Sequence, residues 1–101
     1  MTHTIVQYRV KPGRGDENAQ LVRAVYDELA ELAPDGFSYA TYRAEDGVSF
    51  LHMAAGPGPL RDLEAFRRFT AGLRDRCESG PEFASFSEVG SYRPAKESLP
   101  L

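Results

Sequence analysis

From Phe37 to Ala55 apolar and polar positions alternate on both sides of Asp46-Gly47, a pair that commonly turns one strand back on another. A two-residue type I′ turn is expected there, with positive φ at both central residues. That turn sets Glu45 opposite Val48, Arg43 opposite Phe50, Thr41 opposite His52 and Tyr39 opposite Ala54. Because side chains alternate along a strand, Tyr39, Thr41, Arg43, Phe50 and His52 share one face. Ala40, Tyr42, Leu51 and Met53 share the other, so neither face is a plainly solvated one.

The rest of the pattern supplies four more elements. His3 to Lys11 alternates as a strand, and Pro12-Gly13-Arg14-Gly15 ends it. Asp16 is placed to cap a helix whose apolar stripe runs through Leu21, Val22, Val25, Leu29 and Leu32, before Pro34-Asp35-Gly36 stops it. The acidic Asp27, Glu28 and Glu31 fall on its polar face. Beyond the Gly56–Pro59 loop, Leu60 and Arg61 suit a short turn and Asp62 a second cap. The next stripe is Leu63, Phe66, Phe69, Thr70, Leu73 and Cys77, with Arg74 and Arg76 at the helix's negative end and Gly80-Pro81 as its stop. Phe83 to Tyr92 reads as a last strand.

This order, β-α-β-β-α-β, predicts an α+β, ferredoxin-like fold: a four-stranded antiparallel sheet with two helices on one face. A single domain over residues 1–93 is expected, followed by a tail, 94–101, that is frayed or lays Leu99 and Leu101 on a neighbour. The uncovered face, with Ile5, Gln7, Ala40, Tyr42, Leu51 and Met53, is too apolar for a small monomer. A homodimer with packed sheets, a dimeric α/β barrel, follows as the expectation.

Composition narrows the function classes. The 101 residues carry a net charge of −3, which gives no electrostatic reason to expect nucleic acid as a partner. No apolar run reaches the roughly 20 residues of a membrane span, and no signal-peptide core opens the chain, so a cytoplasmic protein without a membrane partner is expected. Cys77 is the single cysteine and reads as a small buried hydrophobe. With only two histidines, His3 and His52, no metal site is expected. The chain holds neither a phosphate loop nor a dinucleotide fingerprint nor a serine elbow, and no cofactor is expected.

Val10-Lys11-Pro12-Gly13, the amphipathic helix, Pro34-Asp35-Gly36-Phe37, Ala40-Thr41-Tyr42 and the Asp-Gly turn together resemble the dimeric α+β-barrel superfamily, nearest to its antibiotic-biosynthesis monooxygenases. The resemblance spans residues 3 to 93. It implies a dimer with a pocket between sheet and helices in each subunit. Cofactor-independent members deprotonate phenolic polycyclic substrates there and let the anion react with oxygen. On the hairpin, their pocket asparagine corresponds to His52, their strand histidine to Arg43 and their tryptophan to Gly56.

These readings define a candidate site. Facing the helices beside Thr41, His52 is a candidate general base for a phenol or an acidic carbon. Arg43 is a candidate to hold the resulting anion, with Arg9 close by. Tyr8, Tyr39, Thr41, Phe50 and Phe66 are candidate walls for an aromatic or polyketide-like ligand. The expected function is small-molecule binding, with cofactor-independent, monooxygenase-like or isomerase-type chemistry on an aromatic substrate. The alternative is a non-catalytic structural or ligand-binding homodimer, in which His52 and the aromatics are core.

Overall fold

A computed structural model describes residues 2–92; the expected arm with Leu99 and Leu101 lies outside them. The described chain forms β1 (Thr2–Val10), α1 (Gly15–Leu32), β2 (Ser38–Arg43), β3 (Ser49–Ala55), α2 (Glu64–Ala71), α3 (Leu73–Arg76) and β4 (Cys77–Ser87). The strands make one antiparallel sheet in the order β2-β3-β1-β4, the α+β ferredoxin-like arrangement predicted from the pattern. One face of β1 and β3 supplies Tyr8, Val10 and Phe50 to a core completed by Val22 and Val25 of α1 and Leu63 and Phe69 of the second helical segment.

The hairpin register is as expected, with Thr41 opposite His52 and Arg43 opposite Phe50. Its turn differs. Gly47 alone of the turn residues has positive φ, and the Gly47 N–H donates to the Ala44 carbonyl, so the loop has four residues and Glu45 does not pair with Val48. The Asp46 carboxylate accepts the N–H groups of Val48 and Ser49 at 2.9 and 2.8 Å and the Ser49 hydroxyl at 2.7 Å. That side-chain turn spares Asp46 the left-handed conformation and lowers its pKa to about 2.

Both predicted helix caps are corrected. Arg14, without a side-chain cap bond, precedes α1, while Asp16 lies in its first turn and pairs with Arg43 at 3.0 Å. Gly15 lets α1 dock on the hairpin, because a Cβ there would collide with the Gly47 carbonyl. Leu60–Asp62 forms a 3-10 turn, and Glu28 of α1 accepts the Ala65 N–H at 2.8 Å in place of an Asp62 cap. The first-turn N–H groups of a helix need an acceptor, and one reaching across from α1 also ties the two helices together.

The second helix is shorter than its stripe suggested. It breaks at Gly72 and ends at Arg76, and β4 starts at Cys77 rather than Phe83. Pairing with β1 outweighs helix continuation, since Val10 lies opposite Cys77 and Arg9 opposite Ser79. Gly80-Pro81 therefore sits inside a strand, where the register shifts, instead of stopping a helix. Cys77 is buried as expected, but from a strand.

Candidate functional site

His52 projects from β3 toward the helices and is 3% exposed. It is held at both ring nitrogens. Nε2 meets the Tyr8 hydroxyl at 2.7 Å, and Nδ1 meets the Tyr39 hydroxyl at 2.8 Å and Thr41 Oγ1 at 3.0 Å. Strand alternation makes this possible: Tyr8, Thr41 and His52 lie on one face of three neighbouring strands, Thr41 directly opposite His52 and Tyr8 diagonal to it, opposite Phe50. Thr41 also contacts the Tyr26 hydroxyl at 2.8 Å.

The network continues into α1 and α3. Asn18 Nδ2 donates to the Tyr8 hydroxyl at 2.8 Å, and Arg76 Nε donates to Asn18 Oδ1 at 3.1 Å. Arg76 also donates to the Phe69 carbonyl at 2.8 Å and stacks over the Phe69 ring at 5.5 Å. Neither Asn18 nor Arg76 was singled out from the sequence. Asn18 carried a usable signal, because it stands four residues before Val22 on the apolar stripe, where a polar side chain is expected to have a buried partner. Arg76 carried none, since its burial depends on the break at Gly72.

Burial governs the electrostatics. Without a nearby carboxylate among its hydrogen-bond partners, the imidazole loses more by desolvation than it gains, and its pKa falls to about 4. Desolvation likewise pushes the Tyr8 and Tyr39 phenols up. All three groups are neutral near pH 7.

An apolar cavity of about 190 Å³ opens against this floor, with Tyr8, Tyr39 and His52 on the sheet side and Leu60, Phe66 and Phe69 on the helical side. Thr4, Thr70 and Phe83 also line it and are exposed, Phe83 at 69%, which places the mouth between β1, β4 and α2. Of the residues predicted as ligand walls, Tyr8, Tyr39 and Phe66 line this cavity. Thr41 reaches it only through its bond to His52. Phe50 packs behind Tyr8, ring centroids 5.6 Å apart.

Arg43 is not brought to His52. Its Nε donates to the Gly47 carbonyl at 2.9 Å, it pairs with Asp16, and it lies over the Phe50 ring at 5.6 Å. It sits two pairs nearer the turn than Thr41–His52, at the exposed end of the hairpin, so it borders a different surface. That surface is a wider depression of about 530 Å³, lined also by Arg9, Tyr42 and Leu51. Arg9 there faces Asp46 at 3.5 Å and Glu78 at 3.9 Å, so both cations already have carboxylates. The depression is larger than the His52 cavity but open. Among the described residues no cluster of three histidine, cysteine or acidic side chains forms a metal site, and no helix is long and apolar enough to cross a membrane.

No protein-family model matches the sequence, and no curated protein is significantly similar to it. Solved structures are similar in shape. One is an antibiotic biosynthesis monooxygenase, 18% identical, with TM-score 0.69 over 89% of this chain and all of the other. Another is PA3566 from Pseudomonas aeruginosa, 16% identical, with TM-score 0.68 over 88% of this chain and 94% of that one. A third is a variant of SnoaB, a cofactor-independent oxygenase from Streptomyces nogalater, 16% identical, with TM-score 0.63 over 89% and 94%. At such identities the likeness is one of architecture, and the chain has the ferredoxin-like α+β fold of the antibiotic biosynthesis monooxygenase structures.

Proposed function

We propose that this protein binds a small, apolar, aromatic or polyketide-derived molecule under its helices and works as a homodimer. The observation that carries the reading is the 190 Å³ cavity ending on His52, Tyr8 and Tyr39. An apolar cavity of about 150 Å³ is enough for benzene, so one substituted ring fits and a fused tricycle does not without rearrangement. A packed core would leave no such space.

The geometry favours binding over base catalysis by His52. An imidazole with a pKa of about 4 stands roughly 6 units below a phenol of ordinary acidity, a gap of about 8 kcal/mol against proton transfer. Arg43, the expected anion stabiliser, is bonded elsewhere. His52 therefore acts as a neutral anchor of the cavity floor, the reading in which its nitrogens are satisfied by protein hydroxyls.

The dimer rests on the bare sheet face. Tyr42 and Phe86 stand there 59% and 50% exposed, beside the half-buried Ile5, Leu51 and Met53. Light scattering at micromolar concentration should give twice the chain mass, and Leu51→Lys should halve it; a monomeric wild type would overturn this part. For the cavity, thermal-shift titration with one-ring phenols and ketones should show saturable stabilisation. Ala54→Leu, which fills the space, should abolish it. Stabilisation that survives the filled cavity would refute the site.

A further inference from the structure

On the cavity floor there are more polar hydrogens than acceptors to receive them. Tyr8, Tyr26, Tyr39 and Thr41 bring one hydroxyl hydrogen each, and neutral His52 brings one N–H. These five hydrogens meet four contacts: Tyr8 with Nε2, Tyr39 and Thr41 with Nδ1, and Tyr26 with Thr41. The two contacts at Nδ1 share a single hydrogen, whichever side supplies it. Two hydrogens are left over although, among the described residues, every buried side-chain nitrogen and oxygen has a partner. One belongs to the Tyr26–Thr41 pair, and half-exposed Tyr26 can turn it toward solvent.

The other is assigned from the far end of the network. Arg76 donates to Asn18 Oδ1 and so turns the Asn18 amide nitrogen toward the Tyr8 oxygen. Tyr8 then accepts from Asn18 and donates its own hydrogen to His52 Nε2. Were the proton on Nε2 instead, Tyr8 would accept twice and its hydrogen would be stranded at a residue only 5% exposed, a loss of the kind that buried polar groups avoid. Nδ1 thus carries the proton and donates to Thr41 and Tyr39. The Tyr39 hydroxyl hydrogen has no acceptor at full hydrogen-bond geometry, only a weak contact to the Thr41 side chain, and it sits on a residue that lines the cavity.

We infer that Tyr39 sets the specificity of the cavity, its weakly held hydroxyl hydrogen selecting a neutral one-ring ligand that bears an acceptor oxygen, such as a ketone or quinone carbonyl. This rests on the ligand-binding reading above and adds the chemistry of the ligand. A carboxylate is disfavoured: Arg43 is held by Asp16, Arg76 lies behind Asn18, and an anion would be desolvated beside no cation.

Three probes of similar shape test it by calorimetry: acetophenone, its hydrocarbon analogue α-methylstyrene, and benzoate. In the wild type acetophenone and α-methylstyrene bind and benzoate does not. Tyr39→Phe keeps Thr41 as the partner of Nδ1 and should lower the acetophenone to α-methylstyrene affinity ratio roughly five- to tenfold, the worth of one neutral hydrogen bond. An unchanged ratio in Tyr39→Phe, or tight benzoate binding, would overturn the inference alone. Failure of both neutral probes would overturn the ligand-binding reading with it. Independently of any ligand, the ¹⁵N shifts of His52 should place the proton on Nδ1, and a proton on Nε2 would remove the assignment to Tyr39.

Discussion

Lowering the pH from 7.5 to 5 should destabilise this protein through His52. In the unfolded chain the imidazole takes up a proton near pH 6.5, whereas in the fold burial holds its pKa at about 4. Between those values the unfolded state binds more protons than the native state, so stability is complete above pH 6.5 and is lost as the pH falls toward 4. At pH 5 the loss is about 2 kcal/mol, undiluted by solvent because the ring is 3% exposed. Interfering carboxylates titrate lower: Arg14 holds Glu17 down, and the hydrogen bonds to Asp46 hold it near 2. Their contributions are lost only as pH falls below the ordinary carboxylate range. Urea unfolding at pH 5 and 7.5, for the wild type and for His52→Gln, measures the effect. The variant should be less stable at both pH values but nearly free of the slope. A flat wild-type profile, or an equal slope in His52→Gln, would refute a buried neutral imidazole.

Other perturbations separate the parts of the site. Tyr8→Phe removes the partner of both Asn18 and His52 Nε2, and should cost about 3 kcal/mol in urea unfolding. Gly15→Ala places a methyl group against the Gly47 carbonyl and should cost about 2 kcal/mol by forcing α1 away from the hairpin. Arg43→Ala loses an exposed pair with Asp16 and should change stability by less than about 1 kcal/mol. It should leave ligand-induced thermal shifts untouched, and a loss of binding would return Arg43 to the site.

Strand faces and register could be read from the chain, because period-two alternation and a turn of fixed reach leave few pairings. His52 opposite Thr41 followed from that alone, whereas placing both beneath the helices rested on the greater bulk of that face. The Asp46 turn was misjudged because an aspartate whose side chain accepts the N–H groups two and three residues ahead has no need of positive φ. The end of the second helix was misjudged for a different reason. Leu73 and Cys77 keep helical spacing, but Cys77 gains a strand partner in Val10, a contact that no local pattern encodes.

The same distinction explains why the chemistry assigned to His52 shifted. A histidine on an inward strand face can be recognised in sequence, but its proton affinity is set by what surrounds it in three dimensions. Here the neighbours are hydroxyl groups from the two flanking strands, and beyond them an amide held by a buried guanidinium. Hydroxyls satisfy a neutral imidazole without supplying the negative charge that would raise its pKa. Such a shell turns a candidate base into a fixed acceptor and donor and leaves the surplus hydrogen on its neighbours. Asn18 on the apolar stripe of α1 was the trace of that shell in the sequence. A polar residue on one buried face, paired with a histidine on another, points to a network between them.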